Sequence, residues 1–248
     1  FAYKRIFNFH NKQKPKNIRY FDKYGNLLEY KNIPLNSVGI YVPANLPSSL
    51  LMNAIPAKIA KVKRIVLANP RVKGKLNSAV MYVARKLGIK EIYSMGGAQA
   101  IASLGYIQKV DKIVGPGNKF VSQAKLSLFG EIGTESMIAG PSEICVIADR
   151  NTNINEISTS LIGQAEHDEN SQCILVTKDK LLIKKVIKRI NIILKKIPRK
   201  LIALKSLKKN GLIIYVNDDK KVPEIINTIS PEHLEINVKQ PNKYLKKI

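Results

Sequence analysis

From residue 38 onward, short runs rich in Val and Ile alternate with longer segments of helical periodicity. "VGIYV" (38–42) reads as a strand and "SSLLMNAIPAKIAKV" (48–62) as a helix; "RIVLAN" (64–69) and "LNSAVMYVARKLG" (76–88) repeat the pair. "KEIYSM" (90–95), the helix "AQAIASLGY" (98–106), "DKIVG" (111–115) and the helix "KFVSQAKLSLFG" (119–130) continue it. A second series follows, with strands at "EICVIAD" (143–149), "CILVTK" (173–178), "LIIYV" (212–216) and "LEINV" (234–238). Apolar strands separated by helices build parallel βαβ units, because each crossover needs a helix that covers the sheet. The expected fold class is α/β, with two Rossmann-like open parallel sheets. Residues 38–141 form the first block and 142–248 the second. Residues 1–37, rich in Lys and Asn, with a helical start and a turn at "DKYGN", are expected to belong to the first.

The chain of 248 residues can bury a sizeable core. No apolar run approaches the roughly 20 residues that cross a bilayer, and no signal-peptide pattern opens the sequence. It begins at Phe1 and not Met, which leaves open whether a leader precedes it. Cys145 and Cys173 lie inside apolar runs, which suits buried small hydrophobes in a reducing, cytoplasmic compartment. The charge is extreme: 42 basic against 18 acidic residues give +24. The lysines are spread over almost every segment and arginines are few, so no patch or motif for nucleic acid stands out. Abundant Lys, Ile and Asn fit the codon bias of an AT-rich genome. A solvated lysine surface, with no specific nucleic-acid partner, is the expectation.

Three glycine turns interrupt this pattern: "MGGAQA" (95–100), "VGPGNKF" (114–120) and "AGPSE" (139–143). Turns at the carboxyl ends of parallel strands are where open α/β sheets bind ligands, since Gly admits close backbone approach and the next helix offers free N–H groups. The three are expected to converge on a cleft between the blocks. None is a G-x-G-x-x-G fingerprint.

Two polar clusters carry histidine. In "GQAEHDENSQ" (163–172), helical spacing sets Gln164 and His167 on one face, flanked by Glu166 and Asp168. Such a pair could share a metal, although Gln is an unusual zinc ligand; the alternative is an exposed polar helix end. In "SPEHLEI" (230–236), Ser230 and Pro231 resemble a helix start, yet the strand pattern follows at once. The competing reading is a general acid/base couple, Glu232 with His233. His10 lies in the polar N-terminal segment and reads as a surface residue.

In order along the chain, "GIYVP", "PSSLLMNAIPAKIAKVKRIV", "GGAQAIASLGY", "KVDKIVGPGNKFVSQAK", "MIAGPSEICVIAD", "GQAEHDENSQCILVT" and "SPEHLEI" resemble the histidinol dehydrogenase family across residues 38–236. That resemblance implies an aldehyde-dehydrogenase-like pair of Rossmann-like domains in a cytoplasmic homodimer. It also implies oxidation of L-histidinol to L-histidine with two NAD and one zinc per subunit. It implies NAD contacts at Tyr41, Gln99 and Asn118 and substrate contacts at Ser142, Gln164, His167 and His233. Gln164 and His167 would be two of four zinc ligands, and Glu232 with His233 the catalytic acid/base pair. A related dehydrogenase of another small amino or sulfonated alcohol, or an inactive basic fragment, are the alternatives.

The departures from the family pattern are local, except at the ends. Only "ANL" (44–46) separates "YVP" from "PSS", and only "IQ" follows Tyr106. Ser136 stands where the family places an acidic residue, with Glu135 one position earlier. The other two zinc ligands implied by the resemblance, an Asp and a His, fall beyond Ile248. About a hundred residues are also expected ahead of Phe1, a domain-sized piece. The chain is expected to be truncated, as a fragment or a decayed gene product.

Overall fold

The computed structural model describes residues 1–135 and 142–248. The chain divides into two compact units, Phe1–Ile138 and Ala139–Ile248.

Unit 1 begins with helix α1 (Ala2–Lys12) and a two-stranded antiparallel hairpin, β1 (Ile18–Phe21) and β2 (Leu27–Tyr30). The sequence reading placed only a turn here; Asp22 builds it, accepting the N–H groups of Tyr24 and Asn26. Every residue of both strands is exposed, so no buried face imposed a readable period. The βα series then runs β3 (Ser37–Tyr41), α2 (Pro47–Ile59), β4 (Arg64–Ala68), α3 (Ser78–Lys86), β5 (Glu91–Tyr93), α4 (Gly97–Ala102). A single π turn (Ser103–Ile107) extends α4, and β6 (Lys112–Val114), α5 (Lys119–Ser127) and β7 (Gly133–Thr134) complete it. The five strands are parallel in the order β5-β4-β3-β6-β7. Counted along the chain this is 3-2-1-4-5, the doubly wound order that reverses between its first and fourth strands. Two apolar layers cover the faces, one around Ile40, Leu50 and Leu67, the other around Val66, Ile101 and Ile113.

Unit 2 runs β8 (Glu143–Ala148), α6 (Ile154–Ala165), β9 (Gln172–Thr177), α7 (Lys180–Leu194), α8 (Lys200–Asn210), β10 (Gly211–Tyr215), α9 (Lys221–Ile229), β11 (His233–Asn237) and α10 (Asn242–Leu245). Its sheet is parallel in the order β10-β9-β8-β11, or 3-2-1-4 along the chain. Core layers around Leu161 and Leu175 on one face, and Ile174 and Ile226 on the other, sandwich it. The α/β class with parallel Rossmann-like sheets is thus the observed architecture.

Helix starts follow local chemistry. Asn77, Asn118, Asn153 and Asp179 each accept a backbone N–H from the first turn of α3, α5, α6 and α7, satisfying donors the helix leaves free. Ser230 does not belong with them. It ends α9 in a left-handed conformation, φ 47°, instead of starting a helix, and β11 begins three residues later. Gln164 and His167 also part: α6 stops at Ala165, Glu166 is its C-cap, and His167 lies in the turn beyond.

Candidate functional site

The turn after β6 is the most tightly specified part of unit 1. Gly115 has φ +116°, and a Cβ there would collide with the Tyr41 carbonyl at the end of β3. Both backbone polar groups of Gly115 leave the sheet ladder and meet one ion pair. Its N–H donates to Glu135 Oε1 at 2.7 Å, and its carbonyl accepts from Lys125 Nζ at 2.5 Å. Lys125 Nζ in turn lies 2.6 Å from Glu135 Oε2. Lys125 is 8% exposed, a rare burial for lysine that the pairing explains. Sequence reasoning noticed Glu135 as a displaced acid but missed Lys125, whose only signal was its spacing of ten residues from that acid.

At the same edge, Tyr41 is buried, and its hydroxyl accepts the N–H of Gly97 at 3.3 Å. Tyr41 therefore pins the first residue of α4. Its N-cap, Gly96, supplies no side-chain cap, so beyond the Gly97 N–H held by Tyr41 the first turn keeps N–H groups without a side-chain partner. Gln99 and Asn118 are exposed beside these turns; Asn118 Oδ1 accepts from Phe120 and Val121, which leaves its amide N–H₂ outward. Asn69, fully buried just past β4, donates to the carbonyls of Val42 and Pro43, while its Oδ1 has no partner among the described residues. The turns 95–100 and 114–120 thus lie on one edge, at the carboxyl ends of β5 and β6. These features suit a dinucleotide at the reversal point between β3 and β6: an orphaned buried acceptor, a helix start without an N-cap side chain and two exposed amide side chains.

The third turn, "AGPSE", lies outside the described residues except for Ser142 and Glu143, and Ser136 lies outside them too. Ser142 and Glu143 lead into β8, so they occupy the amino edge of its sheet and not the carboxyl edge expected for this turn. Ser142 is half-buried, and its carbonyl accepts from Gln172 N–H at 3.0 Å.

Along that amino edge, β9, β8 and β11 lie side by side, with Gln172 opposite Glu143 and His233 opposite Ile144. Glu143 joins the two candidate acid/base residues through its main chain. Its N–H donates to Glu232 Oε2 at 3.2 Å, and its carbonyl lies 3.1 Å from His233 Nδ1. A carbonyl only accepts, so Nδ1 carries the hydrogen and the neutral ring keeps its lone pair on Nε2. Glu232 Oε2 is 3.5 Å from the same Nδ1, and both side chains are exposed.

The Gln164 cluster enters the same edge just before β9. Two of its three acids have structural partners: Asp168 Oδ1 accepts from Asn170 N–H, and Glu169 pairs with Lys205 at 2.8 Å. His167 is exposed, its carbonyl held by Arg199, and Gln164 is half-buried. Among the described residues, no three His, Cys, Asp or Glu side chains gather as a metal would need. Gln164 and His167 offer one amide and one imidazole, and a structural or catalytic zinc takes three or four protein ligands. By themselves these residues do not make a zinc site. His10 is partly exposed in α1, its Nδ1 2.7 Å from Gln13 Oε1.

Comparison with known proteins adds four likenesses. The family model described as histidinol dehydrogenase matches residues 1–248. Histidinol dehydrogenase of Pelagibacter ubique (strain HTCC1062) is 54% identical over 254 residues, covering 100% of this chain and 59% of the relative. The crystal structure of histidinol dehydrogenase from Elizabethkingia anophelis superposes with a TM-score of 0.91 at 36% identity, again over 100% of this chain and 59% of that one. A propionaldehyde dehydrogenase from Rhodopseudomonas palustris shares the fold alone, with a TM-score of 0.57 and 14% identity over 99% of this chain and 72% of its own. The chain therefore spans about three-fifths of the length of the histidinol dehydrogenases it matches.

Proposed function

The chain belongs to the histidinol dehydrogenase family, and from that membership we propose that the protein carrying it oxidises L-histidinol to L-histidine through L-histidinaldehyde. NAD, when bound, supplies the hydride acceptor. Tyr41, Gln99 and Asn118 would hold it at the carboxyl edge of the first sheet. The substrate would meet Ser142, Gln164, His167 and His233 on the amino edge of the second.

The observation that carries this reading is the Glu143 clasp on Glu232 and His233. Loss of hydride from an alcohol needs a base for the hydroxyl proton. His233 Nε2, left with its lone pair by the Nδ1–H bond to Glu143, is placed for that work. The second oxidation starts from the hydrated aldehyde, so a group must draw a proton from attacking water. The Glu232 carboxylate, anchored by one N–H and otherwise exposed, suits it. Zinc belongs to the proposal for the full-length protein, where Gln164 and His167 would be two of its four ligands.

Homodimer formation and a cytoplasmic location are parts of the same proposal. The hairpin exposes Ile18, Tyr20, Phe21, Leu28 and Tyr30, and an isolated two-stranded sheet is marginal in water, which supports a cover over this segment in the assembled protein. Two free, buried cysteines suit a reducing compartment. No helix among the described residues is long and apolar enough to cross a membrane.

The test is NADH formation with L-histidinol by the full-length protein, beside Glu232→Gln and His233→Asn. Each variant should lose at least about a hundredfold in kcat, the usual worth of a positioned proton-transfer group. Absence of turnover on L-histidinol, with turnover on another amino or sulfonated alcohol, would replace the substrate and keep the class.

A further inference from the structure

The carboxyl edge of the second sheet has no part in the reading above, yet it opens onto a cavity of about 800 Å3. The strand order places it. Winding reverses between β8 and β11, and the cavity is floored where those strands end, by Ala148, Asp149, Val238 and Lys239. In open α/β sheets the connections leave such a point in opposite directions, and the crevice between them is where ligands bind. The volume is in the range of small-molecule sites, roughly 300 to 1,000 Å3.

The charges around it are unevenly spent. Asp149 accepts the N–H groups of Asn151 and Lys239, at 2.8 and 3.1 Å. Asp179 caps α7 through Leu181 and Leu182. Asp219 pairs with Lys178 at 2.9 Å and with Lys243. All three lining carboxylates are thus engaged inside the unit. Three lining cations, Arg150, Lys180 and Lys239, have no carboxylate partner among the described residues. Lys180 Nζ instead stands 4.9 Å above the Tyr215 ring at the rim.

The turn from β8 to α6, Asp149 to Asn153, contains no glycine, so the backbone cannot close on a pyrophosphate as a dinucleotide fingerprint does. Side chains alone would hold the anion. Arg150 offers a planar fork of donors and the two lysines offer mobile ammonium groups, a set that matches phosphate oxygens. We propose that this crevice binds a compact phosphate-bearing metabolite, of mononucleotide size or smaller. The site is separate from the acid/base pair, which lies at the other edge of the same sheet.

Inorganic pyrophosphate and ADP, titrated calorimetrically into the full-length protein, test this. Saturating NAD keeps the first sheet occupied, and 0.15 and 0.3 M salt expose diffuse binding. One saturable site per chain is expected, weakened on the order of tenfold or more by Arg150→Ala with Lys239→Ala, the usual worth of hydrogen bonds to charged groups. Lys184→Ala with Lys185→Ala, two exposed positions on α7, removes the same charge and should leave the site intact. ADP tighter than pyrophosphate identifies a mononucleotide, and equal affinity identifies phosphate alone. Equal weakening by both variant pairs, or no saturable binding, would overturn the proposal. The readout is binding, so it stands or falls apart from the histidinol reading.

Discussion

Breaking the ion pair that clasps Gly115 should have an asymmetric cost. Lys125→Met keeps most of the apolar stem and removes the two Nζ bonds, at 2.5 and 2.6 Å. Glu135, whose side chain is 40% exposed, then turns to water while still accepting Gly115 N–H. The loss should be about 1 to 2 kcal/mol. Glu135→Gln keeps an acceptor for Gly115 but leaves the Lys125 ammonium, 10% exposed, with only a carbonyl for company. Stranding a buried charge should cost more, about 2 to 4 kcal/mol. The double variant has no stranded charge and should be no less stable than Glu135→Gln, so the two losses must be strongly non-additive. Urea unfolding of the four proteins measures this cycle, and amide exchange at Gly115 reports the turn itself. On the proposed NAD role of Asn118, which follows this turn, both single variants in the full-length protein should also raise KM for NAD by roughly several-fold with kcat nearly unchanged. Additive losses within about 0.3 kcal/mol would mean the pair does not act as a unit, and the positioning argument would fail.

Gly115→Ala should destabilise unit 1 by about 3 kcal/mol or more, since the new Cβ meets the Tyr41 carbonyl at a backbone angle that side chains rarely adopt; a near-normal urea midpoint would contradict it. Lys243 first and Lys178 second hold the Asp219 carboxyl down at about 2. A depressed folded-state value gives stability that is complete above the unfolded value near 3.8 and lost as pH falls through about 2. Asp219→Asn should therefore cost about 1 to 2 kcal/mol at pH 7 and nothing near pH 1.5, read from acid unfolding curves. Burial pushes the Cys145 thiol up to about 12 and the Cys173 thiol to about 11. Neither should react with a thiol reagent at pH 8 until urea unfolds unit 2, and rapid labelling of the native chain would show otherwise.

The parallel strands were legible because burial on both faces demands β-branched runs. All five residues of β3 are buried, and five of the six in β9. The β1–β2 hairpin was not, since four exposed residues per strand carry no period, and only its Asp22 turn left a mark. Helical spacing ran past the end of α6 because no Gly or Pro follows Ala165 to announce it, and Gly163 lies inside the helix. At Ser230 the dipeptide with Pro231 favoured a helix start, but the residue closes α9, whose need for a left-handed C-cap prevailed. The site chemistry was half visible. Glu232 and His233 stand out by type, whereas the Glu143 main chain that orients both leaves no trace in a sequence. Lys125 was hidden by its company, one buried lysine in a chain of net charge +24.

The two sheets wind alike but fix their edges with different groups. In unit 1 the amino edge is stapled: Arg64 meets Glu91 at 2.6 Å and Gln108 at 2.9 Å, and Ser37 exchanges two bonds with Asp111. Such bonds stabilise the strand starts, while Lys125, Glu135 and Asn69 fix the glycine turns and strand ends at the other edge. In unit 2 the stapling lies at the carboxyl edge, where Thr152 donates to the Asn237 carbonyl at 2.5 Å and Asp149 holds Lys239. Glu232 and His233, the proposed proton-transfer pair, stand at the amino edge. This placement explains why a rule that places ligands at carboxyl ends points to the turns of unit 1 and passes over the proposed acid/base pair of unit 2. It also explains why the crevice between β8 and β11 persists beside its staples. A reversal of winding opens that gap whatever chemistry occupies the opposite edge, so its contents must be read from the side chains that line it.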